Sequence, residues 1–261
     1  MTHDGGDLLD LLDLDGDVLR GYWAAAIAWV RRAADGRPRA RIADLGAGTG
    51  TGTVELAARF SGAEVVAVDS SPAALDRVAE KALTLGLAPR VRTVVADLDE
   101  EWPELGPIDL AWASMSLHHL ADPQRTLRDL LQATRPGGLV AVAEFAEPLR
   151  FLPDDLAELE ERALAGVRAH HREQLPHLGA AWSDQLRGAG FDLLGERAFP
   201  IDLRPGDSAP AARYAQLWIG RLAQAATEHL GPADSAELAG FDRWDELHLR
   251  GTRTVTLAGR P

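Results

Sequence analysis

A short apolar run at residues 41–45 is followed at once by the glycine-rich sequence GAGTGTG, and helix-like sequence resumes at residues 53–60. Glycine lets the backbone turn tightly and approach a ligand closely. A strand, a glycine turn and a helix in this order form the first unit of an open parallel sheet, in which ligands bind beyond the carboxyl ends of the strands. This feature therefore predicts a fold class and also the edge of the sheet that holds the site.

The alternation of strand and helix continues along the chain. The strand-like segments are nearly continuous runs of Val, Ala, Ile and Leu, as expected for parallel strands covered by helices on both faces. Helices are predicted between them at 53–60, 72–85 and 122–134. We predict strands at 41–45, 63–68, 91–96, 108–113, 138–145, 191–200 and 252–258.

Helical sequence also surrounds this alternating region. The apolar spacing predicts an amphipathic helix at 18–34, preceded by a solvated turn at the acidic residues 13–17. Further helices are predicted at 154–172, 180–189, 211–229 and around Trp244.

Composition limits the classes of function. The 261 residues are 46% hydrophobic, enough for one α/β domain with insertions. The formal net charge of −13 disfavours nucleic acid and anionic membranes as partners. The absence of cysteine excludes thiolate nucleophiles and cysteine-ligated metals. With no long apolar run and an acidic N-terminus, we expect a cytoplasmic protein without membrane partners. We also expect no nucleic-acid partner, and we expect the protein to be a monomer or homodimer.

The glycine turn does not fit a dinucleotide-binding fingerprint, which would read G-x-G-x-x-G. Counted from Gly46 the last position is Thr51, and counted from Gly48 it is Thr53. The turn instead reads D-x-G-x-G-x-G. Asp44 at its start would repel a pyrophosphate but suits a ligand that carries ammonium and sulfonium charges. The pattern therefore argues against a nicotinamide oxidoreductase.

Two further carboxylates come at predicted strand ends. Asp69 follows the second strand, where it can accept hydrogen bonds from both hydroxyls of a ribose. Asp97 follows the third strand, where it could accept from an adenine amino group. Because the carboxyl ends of parallel strands lie along one edge, the glycine turn and these carboxylates together predict a nucleoside site.

These motifs, with residues 95–98, 109–119 and 135–138, resemble the successive motifs of class I S-adenosylmethionine (SAM)-dependent methyltransferases. The likeness is greatest to the small-molecule branch that includes enzymes of ubiquinone and menaquinone biosynthesis, and it covers residues 18–146. It implies a Rossmann-like seven-stranded sheet of order 3-2-1-4-5-7-6, with the seventh strand antiparallel. It also implies helical insertions at 150–180 and 205–250 that form a substrate lid within a single domain of 1–261.

The resemblance also implies which residues hold SAM, whose demethylated product is S-adenosylhomocysteine (SAH). The glycine turn would line the methionine part, with Asp44 near its amino group, and two residues after the fourth strand would border it. Asp69 would hold the ribose, and Asp97 with the next backbone unit would bind adenine. The implied cofactor-binding residues are Tyr22, Asp44, Gly46, Ala47, Gly48, Asp69, Ser70, Asp97, Leu98, Ser114 and Met115.

Candidate catalytic residues follow the fourth and fifth strands. The sulfonium of SAM is already a good leaving group, so a general base is needed only where the acceptor must lose a proton. His118 and His119 follow the fourth strand, and either could be this base or instead pack or contact the cofactor. Glu144 ends the fifth strand, where it could orient an acceptor hydroxyl or pair with an arginine. No metal site is predicted.

The predicted function is the SAM-dependent methylation of a small molecule. Residues 114–117 read SMSL, whereas enzymes of this fold that methylate nucleic-acid bases or amides have Asn/Asp-Pro-Pro-Tyr there. Apolar and aromatic residues in the helical insertions favour a hydrophobic or natural-product acceptor. One alternative stays open, namely a protein of this fold that binds SAM but catalyses a non-methylation step or acts as a binding module.

Overall fold

The computed structural model describes residues 4–34, 40–145, 147–204, 209–226 and 229–261. Within these residues, helices alternate with strands as far as β5 and then dominate. The helices are α1 Asp4–Val18, α2 Arg20–Ala33, α3 Thr51–Arg59, α4 Pro72–Thr84, α5 Pro123–Ala133, α6 Ala157–Gln174, α7 Trp182–Ala189, α8 Ala209–Ala226 and α9 Pro232–Ala239. The strands are β1 Arg41–Leu45, β2 Glu64–Asp69, β3 Val91–Val95, β4 Ile108–Ser114, β5 Thr134–Glu144, β6 Asp192–Leu203 and β7 Leu249–Gly259.

The strands form a seven-stranded sheet of order β3-β2-β1-β4-β5-β7-β6. The pairs from β3 to β5 are parallel, and β7 runs antiparallel to β5. The order and the direction of the seventh strand confirm the prediction. The parallel strands end together at what we call the carboxyl edge, defined by Leu45, Asp69, Val95, Ser114 and Glu144.

The chain divides into two compact units. The sheet unit contains residues 21–145, 179–199 and 253–261, and the helical unit contains residues 1–20, 146–178 and 200–252. The insertions predicted at 150–180 and 205–250 fall almost entirely within the helical unit. Their role as a lid, and the treatment of 1–261 as one domain, stay predictions. None of the helices in the described part of the chain is long and apolar enough to cross a membrane.

The core of the sheet unit follows from the apolar runs. Every residue of β4 except the last is buried, as are four of the five residues of β1. Helix α2 buries one stripe of side chains at helical spacing, which confirms its predicted amphipathic character. That stripe consists of Tyr22, Trp23, Ala26, Ile27 and Val30.

The fifth strand begins earlier than predicted. It starts at Thr134, which pairs with Ile108, whereas the next registered pair is Leu110 with Leu139. Four residues on β5, 135–138, therefore lie opposite the single residue Asp109 on β4, and Gly137 among them has a φ of 72°. The Pro-Gly-Gly segment at 136–138 lies within this irregularity, so the strand predicted at 138–145 extends back to Thr134.

Two predictions for the helical regions are wrong. Residues 13–17 lie within α1, not in a solvated turn, and α1 packs against α8 inside the helical unit. The helix predicted around Trp244 lies instead at α9, which begins at Pro232 and ends before Gly240. Trp244 sits in a turn, where its ring packs edge-on against Phe241.

A prediction concerns Arg90, whose guanidinium donates to the carbonyls of Ala57, Phe60 and Ala63 at 2.7, 3.3 and 3.2 Å. Replacing it by alanine removes the guanidinium donor from these carbonyls, which lie at the end of α3 and in the turn that leads to β2. We expect Arg90→Ala to lower the free energy of unfolding by roughly 1–3 kcal/mol in urea denaturation.

The matched control is Arg92→Ala on β3. Arg92 is 44% exposed and lies 3.7 Å from Glu64, so its loss should change stability by no more than about 0.5 kcal/mol. Equal effects of the two substitutions would contradict the role assigned to Arg90.

Candidate functional site

The glycine turn after β1 adopts the backbone conformation that glycine alone accepts easily. Gly46, Gly48 and Gly50 have φ values of 67°, 53° and 87°. A Cβ on Gly46 would collide with Ser116, coming within 2.9 Å of its Oγ. A Cβ on Gly50 would come within 2.8 Å of Val78. The turn is therefore fixed both by backbone conformation and by close packing on each side.

Asp69 at the end of β2 connects this turn to the next helix. Its Oδ2 accepts from the Gly48 amide at 2.8 Å, and its Oδ1 accepts from the Ser71 amide at 2.9 Å. Ser71, not Ser70, caps α4 by accepting from the Ala74 amide. Ser70 itself is exposed beside Asp69. The carboxylate predicted to hold ribose is thus held at the carboxyl edge by two backbone donors.

Asp44 is the most deeply buried carboxylate of the turn region, at 2% exposure. It accepts from Thr53 Oγ1 at 2.6 Å and also from the Thr53 backbone. Burial raises the pKa of Asp44 to about 7 even though the Thr53 hydrogen bonds oppose this, and the charge of Asp69 adds to the rise. Sequence reasoning missed Thr53, whose position in the first turn of α3 was the available signal.

Asp97 and Leu98 follow β3 as predicted. Asp97 is exposed, and its Oδ1 accepts from the Asp99 amide at 2.9 Å. Leu98 is buried in the core of the sheet unit, and its carbonyl accepts from Thr126 and Arg125. The Ala96 amide donates to the Asp69 carbonyl at 3.0 Å, which joins the ends of β2 and β3.

The segment after β4 is held against two neighbouring strands. Met115 has a φ of 55°, unusual for a residue with a side chain, and its amide donates to the Ala143 carbonyl at 2.9 Å. Ser116 Oγ donates to the Leu45 carbonyl at 2.8 Å. Ser114 Oγ is buried and has no hydrogen-bond partner in the described chain. Sequence reasoning did not single out Ser116, because its partner Leu45 is far from it in the sequence, on β1.

Tyr22 lies in an aromatic group. Its ring packs edge-on against Trp23 and Phe199, and the Arg253 guanidinium lies 5.0 Å from the ring centroid. All of these residues belong to the sheet unit.

Two of the predicted catalytic residues are in contact. His118 Nδ1 lies 2.7 Å from Glu144 Oε2, and each side chain is only 5% exposed. Glu144 therefore pairs with a histidine and not with an arginine. Its Oε1 is buried with no hydrogen-bond partner among the described residues. His119 is exposed, and its ring packs in a tilted arrangement on that of His118, with ring centroids 4.2 Å apart.

A comparison with protein families gives one match over the sheet unit. The model of a methyltransferase domain matches residues 43–140, which span β1 to β5 and include the glycine turn, Asp69, Asp97 and His118.

The curated relatives of this chain include methyltransferases that are named for small molecules. A trans-aconitate 2-methyltransferase from Deinococcus radiodurans is 39% identical over 253 residues, covering 86% of this chain and 88% of the relative. Another from Methylobacterium radiotolerans is 32% identical, covering 78% and 75%. A demethylmenaquinone methyltransferase from Clavibacter sepedonicus is 35% identical, covering 67% and 76%. The chain belongs to the class I SAM-dependent methyltransferases. It is an enzyme that transfers a methyl group from SAM to a small molecule, as predicted.

Solved structures share the fold of this methyltransferase at low sequence identity. A Bacillus halodurans protein assigned as a methyltransferase has a TM-score of 0.61 at 16% identity, covering 91% of this chain and 99% of that one. The [4+2]-cyclase SpnF has a TM-score of 0.51 at 20% identity, covering 88% and 81%. Because both likenesses show the fold alone, neither favours the non-methylating alternative over the activity of the curated relatives.

A prediction tests the glycine turn of the methyltransferase. In Gly46→Ala, the new Cβ meets Ser116 and the backbone must keep a positive φ, so we expect a loss of about 1–3 kcal/mol in unfolding free energy. SAM affinity should fall as well. Gly62→Ala is the matched control, because a Cβ there meets nothing within 4 Å. Thermal melting and calorimetric titration of both variants check this, and equal behaviour of the two would refute it.

A second prediction follows from the raised pKa of Asp44. A carboxyl that binds its proton more tightly when folded contributes stability at low pH and loses it as pH rises from about 4 through about 7. Asp44→Asn removes this pH-dependent contribution to stability. We therefore expect the melting temperature of the wild type, measured relative to Asp44→Asn without ligand, to fall between pH 5 and pH 8. The control is Asp184→Asn, which replaces an exposed carboxylate. A difference that does not vary with pH would contradict the assignment.

Proposed function

We propose that the methyltransferase holds SAM with the glycine turn and the acidic strand ends, and that His118, oriented by Glu144, removes a proton from the acceptor. The buried contact between His118 and Glu144 at the carboxyl edge supports this proposal most directly. The cofactor and the base then belong to one edge of the sheet unit.

The geometry of the glycine turn and its carboxyl groups supports SAM binding independently of the comparisons with known proteins. Three glycines with positive φ let the backbone approach a ligand, and the carboxyl groups of Asp69 and Asp44 lie at this turn. A positively charged ligand group nearby would favour the ionised form of Asp44. Such a site suits a ligand that carries ammonium and sulfonium charges. When bound, SAM supplies an activated methyl group.

Asp69 is the proposed ribose ligand. Each carboxylate oxygen has about two lone-pair sites, and each accepts one backbone hydrogen bond here. The other sites remain able to accept from ribose hydroxyls while the backbone donors fix the direction of the carboxylate. The remaining residues proposed to contact SAM are Tyr22, Asp44, Gly46, Ala47, Gly48, Ser70, Asp97, Leu98, Ser114 and Met115.

The proposed base is His118 and not His119. A carboxylate accepts a hydrogen bond from Nδ1–H, and the tautomer of His118 that donates this bond to Glu144 has its lone pair on Nε2. The carboxylate also stabilises the imidazolium that forms when Nε2 takes a proton, the arrangement used by histidine bases in general.

A small molecule is the proposed acceptor in preference to nucleic acid. The charge of −13 supports this, because binding to phosphate backbones rests on cationic side chains. The curated relatives named for trans-aconitate and demethylmenaquinone act on small molecules.

A prediction separates the cofactor site from the base. We expect Asp69→Ala to weaken SAM and SAH binding at least about tenfold in calorimetric titration, because ribose contacts and the fixed turn are both lost. Glu144→Gln and Asp184→Asn should bind SAH within about threefold of the wild type. The cofactor assignment fails if the folded wild type binds neither ligand, or if Asp69→Ala binds both as tightly as the wild type does.

A further inference from the structure

The surroundings of His118 restrict the kind of acceptor that can react there. Its Nδ1 is occupied by Glu144, and the rings of His119 and Phe145 lie 4.2 and 5.9 Å from its own ring. None of these three neighbours of His118 carries a fixed positive charge. A carboxylate acceptor would need such a charge to offset its own as it left water.

The need for a base also depends on the acceptor. A carboxylate is already ionised near neutral pH, and a neutral amine attacks with its own lone pair and loses its proton afterwards. A hydroxyl group keeps its proton at neutral pH, and its oxygen becomes a strong nucleophile only as that proton leaves. A buried histidine with a carboxylate partner therefore accelerates methyl transfer to a hydroxyl far more than to the other two groups.

We propose, on the basis of the function proposed above, that the acceptor atom is the oxygen of a hydroxyl group on an alcohol, phenol or enol. The O–H proton moves to Nε2 of His118, and the acceptor oxygen forms a bond to the methyl carbon. The bond from that carbon to the sulfonium sulfur breaks, and its electron pair stays on sulfur, which gives SAH. Glu144 is a positioning residue that fixes the tautomer of His118 and stabilises the imidazolium.

The charge of the whole chain supports the same acceptor class. A formal charge of −13 opposes the approach of polyanionic carboxylates, whereas a neutral hydroxyl compound meets no such barrier. This enzyme would then differ from its relatives named for trans-aconitate, a tricarboxylic acid.

The first experiment measures SAH release with matched acceptors that differ only in the reacting group, for example phenols against the corresponding benzoic acids, with trans-aconitate included. We expect turnover of a hydroxyl compound and none of its carboxylic counterpart. His118→Asn should lower that turnover at least about 100-fold and Glu144→Gln about tenfold, with the rising limb of the pH profile lost in His118→Asn. Asp184→Asn should leave it unchanged. Turnover of a carboxylate that His118→Asn changes less than twofold would overturn the proposal.

The second experiment needs no acceptor, so it tests the proposal even if the enzyme methylates no compound of the panel. Nitrogen-15 NMR of histidine-labelled full-length enzyme with SAH reports the tautomer of His118, which the His118→Asn spectrum assigns. We expect the Nδ1–H tautomer in the wild type and a changed tautomer balance in Glu144→Gln. An Nε2–H tautomer in the wild type would overturn the proposal, since the reacting nitrogen would have no lone pair. Failure of the wild type to bind SAH is a different result, which rejects the proposed function itself.

Discussion

Asp69 accepts one backbone hydrogen bond from the glycine turn, through Gly48, and another from the start of α4, through Ser71. Both bonds are made at the end of β2, where the strand stops beside β1 in parallel register. A single carboxylate therefore fixes the relative positions of two loops that must both approach the ligand. The Gly48 amide in the glycine turn and the Ser71 amide at the cap of α4 are thus bound by the two oxygens of one side chain.

The electrostatics of the glycine turn depend on a second carboxyl group, that of Asp44. Asp44 is almost fully buried, and its pKa of about 7 reflects the cost of keeping a charge away from water and near Asp69. A positively charged ligand group beside these carboxylates would reduce that cost, since it favours the ionised form. The stability that the unliganded chain loses by burying Asp44 is then recovered as affinity for a cationic ligand. Binding sites often show this compromise between stability and function.

Sequence information was sufficient where the determining contacts are local. The glycine turn, the carboxylates after β2 and β3 and the parallel core come from patterns within single strand–turn–helix units. The order of the last two strands came from the family resemblance. Local patterns failed for residues 13–17, which are helical in a helix, α1, that packs on α8. The helix expected at Trp244 lies at α9, where Pro232 in the first turn was a local signal that the prediction did not use. The irregular start of β5 depends on its pairing with β4.

The contact between His118 and Glu144 could not be predicted as a pair, because 26 residues and a helix separate the two side chains. Pairing of Ser114 with Ala143 brings the ends of β4 and β5 together, and the backbone then confines the loop that carries His118. Met115 is bound to β5 through its amide and Ser116 to β1 through its hydroxyl.

Because Ser116 also packs against Gly46, one short loop contacts the proposed cofactor turn at one end and bears the proposed base at the other. Rigid placement of this kind reduces the entropy lost when donor, acceptor and base must align. The fold is shared with a [4+2]-cyclase, so the sheet alone does not determine the reaction. The chemistry proposed for this methyltransferase rests instead on how firmly that loop holds His118 against Glu144.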